Sequence, residues 1–103
     1  MLDENHYPDE KCLKAIEKWD ILKDGVQGLL DLVEENTNWP DWSISITGKR
    51  VLHFSYHTGG WSGNEDVISA LERNPLFFAL YWKKSVRGGS YYFRIKPIKE
   101  KIK

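Results

Sequence analysis

Two rhythms of hydrophobic and polar residues divide the chain. Over residues 9–22, Cys12, Ala15, Ile16, Trp19 and Leu22 recur at the spacing of one helical face. Pro8-Asp9 supplies a start signal, Glu10 suits the positive end of the helix, and Asp24-Gly25 breaks the pattern. Val26, Leu29, Leu30 and Val33 form a second stripe over residues 26–35, which Asn36-Thr37-Asn38-Trp39-Pro40 ends. From Trp42 the period becomes two: Trp42, Ile44 and Ile46 alternate with Ser43, Ser45 and Thr47. After Gly48-Lys49-Arg50, Leu52, Phe54 and Tyr56 alternate with His53, Ser55 and His57. This is a β-hairpin with one buried face. A two-residue loop at Gly48-Lys49 sets Ile46 opposite Val51 and mixes core with solvent positions. A longer loop or a bulge is therefore expected.

A third helix is expected from about Gly63 to Arg73, with Val67, Ile68 and Leu71 as its apolar stripe and Asn74-Pro75 as its stop. Leu76 to Trp82 is apolar on both faces and reads as a central strand. Val86-Arg87-Gly88-Gly89 turns the chain, and Tyr91 to Lys96 is a last strand with Tyr91, Phe93 and Ile95 on one side. Pro97 and a lysine-rich tail close the fold.

The order α-α-β-β-α-β-β implies an α+β domain with a mostly antiparallel four-stranded sheet and helices packed on one face. The other face then carries Ser43, Ser45, Thr47, His53, Ser55, His57, Tyr92, Arg94 and Lys96. A strand apolar on both sides needs cover on both, so a homodimer through the sheet is an expected arrangement.

The length of 103 residues fits one domain spanning 1–103. Hydrophobic residues at 41% against 29% charged place the chain among globular rather than disordered proteins. No apolar run is long enough to span a bilayer, the acidic start Met1-Leu2-Asp3-Glu4-Asn5 is unlike a signal segment, and the single Cys12 cannot form an internal disulfide. A cytoplasmic protein is expected. Net charge is zero but polarised. Residues 1–40 hold four Lys and ten Asp/Glu, a balance of −6, and residues 41–103 hold eleven Lys/Arg and five Asp/Glu, a balance of +6. Two halves that complement each other within one fold account for such a split, as does a nucleic-acid face.

Candidate chemistry centres on Thr58-Gly59-Gly60-Trp61-Ser62-Gly63-Asn64-Glu65. Gly59, Gly60 and Gly63 permit a sharp turn, and Ser62 with Glu65 has the spacing of a capping box. Phosphate binding is disfavoured, because Glu65 and Asp66 already place negative charge in the first turn. A serine nucleophile is disfavoured as well: Asn64 stands where Gly-x-Ser-x-Gly needs its second glycine, and no His follows Ser62. His53 and His57 lie roughly 13 Å apart along one strand face, too far to share a metal ion. No metal, cofactor or catalytic residue is expected. Lys83, Lys84, Arg87, Arg94, Lys96, Lys99, Lys101 and Lys103 interleave with Tyr91, Tyr92 and Phe93, the ingredients of a single-strand nucleic-acid surface.

The string from Thr58 to Glu65, the aromatic segment ending at Trp82, Ser85, and the Arg87-Gly88-Gly89 turn into Tyr91-Tyr92-Phe93 resemble a small uncharacterised family of proteins encoded by phages and prophages. The resemblance covers roughly residues 52–95 and transfers no activity. It implies a mobile-element origin, a place in the host cytoplasm and action by binding a host protein, for example one of a defence system. The leading expectation is a non-enzymatic binding module with Trp61, His53, His57, Tyr92, Arg87, Arg94 and Lys96 as candidate contacts. The alternative is a single-stranded nucleic-acid or nucleotide binder that uses the open sheet face and the basic C-terminal part.

Overall fold

The period-two segments become two neighbouring strands of an antiparallel sheet, the first of them at its edge. The computed structural model describes residues 7–96. The acidic Met1–Asn5 stretch, Pro97 and the lysine-rich tail lie outside the described residues. The elements run α1 (Glu10–Lys18), α2 (Ile21–Asp24), α3 (Val26–Glu35), α4 (Pro40–Ser43), β1 (Ile44–Thr47), β2 (Leu52–His57), α5 (Ser62–Glu72), α6 (Pro75–Tyr81), β3 (Trp82–Val86) and β4 (Ser90–Ile95). The sheet order is β1-β2-β4-β3 with every pair antiparallel. This is an α+β fold with a four-stranded sheet and helices packed against it.

The hairpin register follows burial. Ile44 pairs with Tyr56 and Ile46 with Phe54, so the loop is the longer one. Phe54 then lies beside Phe93, and Tyr56 beside Tyr91. Phe54, Tyr56, Phe93 and Ile95 are buried under the helices, together with Ile16, Leu29, Val33, Val67, Ile68, Leu71 and Phe77. Rings dominate the contact. Phe54 stacks on Phe93 at 5.4 Å between centroids, and Phe77 leans on Phe93 at 5.2 Å.

Four sequence expectations need correction. Leu76 to Trp82 is no central strand: Pro75–Tyr81 is helix α6, and the strand begins at Trp82. Asn74 caps α6 by accepting the Phe77 N–H at 3.1 Å, and Pro75 takes the first helical position, where a missing N–H costs nothing. Phe77 and Tyr81, four residues apart, face the core, while Ala79 and Leu80 are exposed. The dimer expected from a doubly buried strand thus loses its premise. Asn74 also donates to the Ile16 and Trp19 carbonyls at 2.9 and 3.0 Å, which ties α6 to the end of α1.

The first helix is broken. Trp19 is extended, and Asp20 restarts the chain by accepting the Leu22 and Lys23 N–H groups. The break turns Ile21 inward and leaves Leu22 62% exposed. Trp42 does not belong to β1, and Ser43 does not sit on the open face. Both lie in the helical turn α4, which Pro40 begins. Lastly, Ser62 does not cap α5. The cap residue is Trp61, with no side-chain cap bond, and its carbonyl accepts the Glu65 N–H at 3.0 Å. No capping box forms.

Candidate functional site

Strand alternation places Ser45 and Thr47 of β1, His53, Ser55 and His57 of β2, and Tyr92 and Arg94 of β4 on the face away from the helices. Lys84 of β3 pairs with Tyr92 and joins them. None of the four strands contains an Asp or Glu. The acids of α1, α2 and α3 belong to the opposite layer, so the charge split along the sequence becomes a split between the helical layer and the sheet.

At one end of this face stand three exposed tryptophans: Trp39 at 64%, Trp42 at 62% and Trp61 at 37%. Trp39 and Trp61 meet edge to face at 4.9 Å between ring centroids. Trp42 lies 6.1 Å from the His57 ring, and His57 lies 5.9 Å from Tyr92. Trp39, Pro40, Asp41 and Trp42 line an open, mostly apolar hollow of about 580 Å³. Isolated exposed apolar residues are ordinary, but three clustered indoles form a patch of the kind that marks interaction sites.

The backbone beneath these rings is irregular and tightly held. Trp39 has φ +50, a left-handed conformation that a bulky residue rarely adopts. Asn64, fully buried in α5, fixes the segment on either side of it. Its Oδ1 accepts the Asn38 N–H at 2.8 Å, and its Nδ2 donates to the Asn38 carbonyl and to Ser43 Oγ, each at 3.2 Å. The orientation of that amide is forced, because a backbone N–H can only donate. Ser43 Oγ in turn donates to the Asn38 carbonyl at 3.2 Å. One residue before Asn38, Thr37 Oγ1 donates to the Val33 carbonyl at 2.6 Å, so its contact of 2.8 Å with Tyr56 is a bond the tyrosine donates. Burial pushes the Tyr56 phenol well above its ordinary range.

The glycine turn fits this platform. Gly59 and Gly60 have φ +63 and +75. A β-carbon on Gly59 would lie 2.8 Å from the Trp42 ring, so the glycine both turns the chain and lets the indole lie against it. Gly63 is buried in the first turn of α5.

Trp61 and His57 therefore belong to the tryptophan edge, with His57 fixed by a 2.8 Å bond between Nδ1 and Ser90 Oγ. His53 and Tyr92 line a second hollow, of about 360 Å³, on the open sheet face. Arg94 is exposed and pairs with His53 across the strands. Arg87 is exposed in the turn between β3 and β4, and Lys96 lines a separate hollow with Lys49 and Arg50. Ser62 and Glu65 are exposed without a capping role. Trp39, Trp42 and the clamp Asn64 are the residues that sequence reasoning missed. The available signal was Trp39-Pro40-Asp41-Trp42, since Pro after a loop residue starts a helical turn as readily as it ends a helix.

Among the described residues no three His, Cys, Asp or Glu side chains are grouped to hold a metal ion, and no helix is long and apolar enough to cross a membrane. No protein-family model, curated protein or solved structure matches the chain.

Proposed function

We propose that the protein is a non-enzymatic binding module that engages a protein partner through the tryptophan edge. The carrying observation is the set of three exposed indoles, Trp39, Trp42 and Trp61, of which the left-handed Trp39 and Trp42 lie between Asn38 and Ser43, the two residues that buried Asn64 clamps. Indoles are large anchors with few rotatable bonds, and one held in place before binding loses little entropy on contact. Strain and a buried amide network are costly for a stretch that merely connects two elements, and a preformed contact surface gives both a purpose. Asp41, in the wall of the hollow, adds an acceptor for a basic side chain from the partner. On the resemblance read from residues 52–95, we propose a bacterial host protein, defence components first, as the partner to seek.

The test is capture of a partner from bacterial lysate on immobilised protein, followed by affinity measurement with the purified partner. Trp39→Ala should weaken binding by about 30-fold, corresponding to a hot-spot loss of about 2 kcal/mol. Trp39 is largely exposed, so the variant should keep the melting temperature within a few degrees. A partner that binds Trp39→Ala and Trp42→Ala as tightly as the parent would overturn the assignment. Capture of a second copy of the chain would replace a host partner with self-association.

A further inference from the structure

The open sheet face carries a second and separate feature. Between Trp82 and Lys84 the pairing of β3 with β4 slips by one residue, a β-bulge. Strict alternation sends neighbouring side chains to opposite faces, and the bulge cancels that rule locally. Lys83 and Lys84 consequently both line the 360 Å³ hollow, together with Thr47, His53, Ser55 and Tyr92. Lys84 Nζ stands 5.1 Å from the centre of the Tyr92 ring. From Tyr92 the rings continue through His57 to Trp42 in steps of 5.9 and 6.1 Å. Arg94, two residues along β4 from Tyr92 and paired with His53, adds a third cation to the same face outside the hollow, and no strand supplies a carboxylate to oppose the three.

We infer that this face binds single-stranded nucleic acid, with Lys83, Lys84 and Arg94 taking phosphates and Tyr92 offering a ring against which a base stacks. Charge complementarity favours a polyanion, since the acidic helices lie on the other side of the sheet. The ring row favours bases over other anions, because every base presents a π-face while an acidic peptide or a lipid headgroup does not. The hydroxyls of Thr47 and Ser55 add donors and acceptors for a sugar-phosphate backbone. The inference does not depend on the tryptophan edge having a protein partner. Trp39 and Trp61 take no part in it.

The experiment is fluorescence anisotropy of a fluorescein-labelled ten-residue oligothymidylate, which lacks structure of its own, titrated with the whole protein. Three phosphate contacts predict that affinity falls about 20-fold between 50 and 200 mM salt. The double variant Lys83→Gln/Lys84→Gln should bind at least tenfold more weakly at 50 mM salt and show a salt slope reduced by about two-thirds. Tyr92→Leu, which keeps bulk but removes the ring, should weaken binding about tenfold. Trp39→Ala should change the affinity by less than twofold, which separates this site from the protein-binding surface. Both lysines are exposed on an edge strand, so the double variant should fold, and circular dichroism checks it. No binding at 20 mM salt and 100 μM protein would overturn the proposal. So would an unchanged affinity in the lysine double variant, or tighter, equally lysine-dependent binding to phosphatidylserine vesicles than to the oligonucleotide.

Discussion

The tryptophan edge and the open sheet face adjoin at Trp42 and His57, yet they are built by opposite means. The sheet face is regular. Its side chains point where strand alternation and register send them, and its one irregularity is the bulge that brings Lys83 and Lys84 together. The edge is irregular. It needs a left-handed Trp39, a four-residue helical turn, a glycine under Trp42 and a buried amide 26 residues away in sequence. Chemistry on the sheet face is therefore cheap to alter, because replacing an exposed lysine changes charge and little else. At the edge the exposed indoles can be changed without unfolding, but the backbone geometry that presents them is tied to folding, because the same bonds satisfy buried polar groups.

The sharpest way to break this contrast is Asn64→Ala. It strips the Asn64 acceptor from the buried Asn38 N–H, the donor from Ser43 Oγ and one of two donors from the Asn38 carbonyl, which keeps its bond from Ser43 Oγ. Urea unfolding should show a loss of about 3 kcal/mol, and the tryptophan emission should move as the segment relaxes. A loss under about 1 kcal/mol would mean that the edge holds itself without its clamp.

A smaller effect is expected from Tyr56→Phe, which removes the bond to Thr37 just ahead of the edge. About 1 kcal/mol should be lost at neutral pH. The pH dependence has a definite sign. Burial raises the folded-state phenol above its ordinary value of 10.0, so the neutral form is favoured by folding. That contribution is complete below pH 10 and is lost as the pH rises beyond it. Between pH 9 and 11 the melting temperature of the parent should fall more steeply than that of Tyr56→Phe. Tyr81 and Tyr91, also shifted upward by burial, remain in both proteins and cancel from the difference. Parallel curves would remove Tyr56 from the explanation.

The smallest effect should come from Ser62→Ala. Ser62 is exposed and α5 has no side-chain cap, so chemical denaturation should place the variant within about 0.5 kcal/mol of the parent. A loss of 1 kcal/mol or more would restore the capping role that the Ser62–Glu65 spacing suggests.

Legibility followed the number of structures each local pattern can satisfy. Val26, Leu29, Leu30 and Val33 fit a helix alone, and Val26–Glu35 has the expected bounds. The alternation through Ile44, Ile46, Phe54 and Tyr56 fits a strand alone, and burial then selects the hairpin register. Leu76 to Trp82 fits both, because seven apolar residues carry no period, and Asn74-Pro75 marks the end of one helix and the start of the next. Gly59 and Gly60 were legible as a turn, whereas Ser62 was misread, since the cap position fell one residue earlier, on Trp61. Of the candidate contacts, His53, His57, Tyr92 and Arg94 could be placed on one face from alternation. Trp39 and Trp42 were not among them: alternation put Trp42 on the apolar face of a strand, whereas it lies in a helical turn, which has no period of two to project.

The chain by itself determined which strand residues face the helices and which face away, because a period of two leaves no other choice once one face is apolar. It also determined the charge imbalance that the fold converts into an acidic layer and a cationic sheet. Only the tertiary structure decided where the tryptophans stand. Asn64 reaches back across 26 residues to Asn38, and Tyr56 across 19 to Thr37. Bonds of that reach depend on which elements pack together, and no local pattern near Trp39 encodes them.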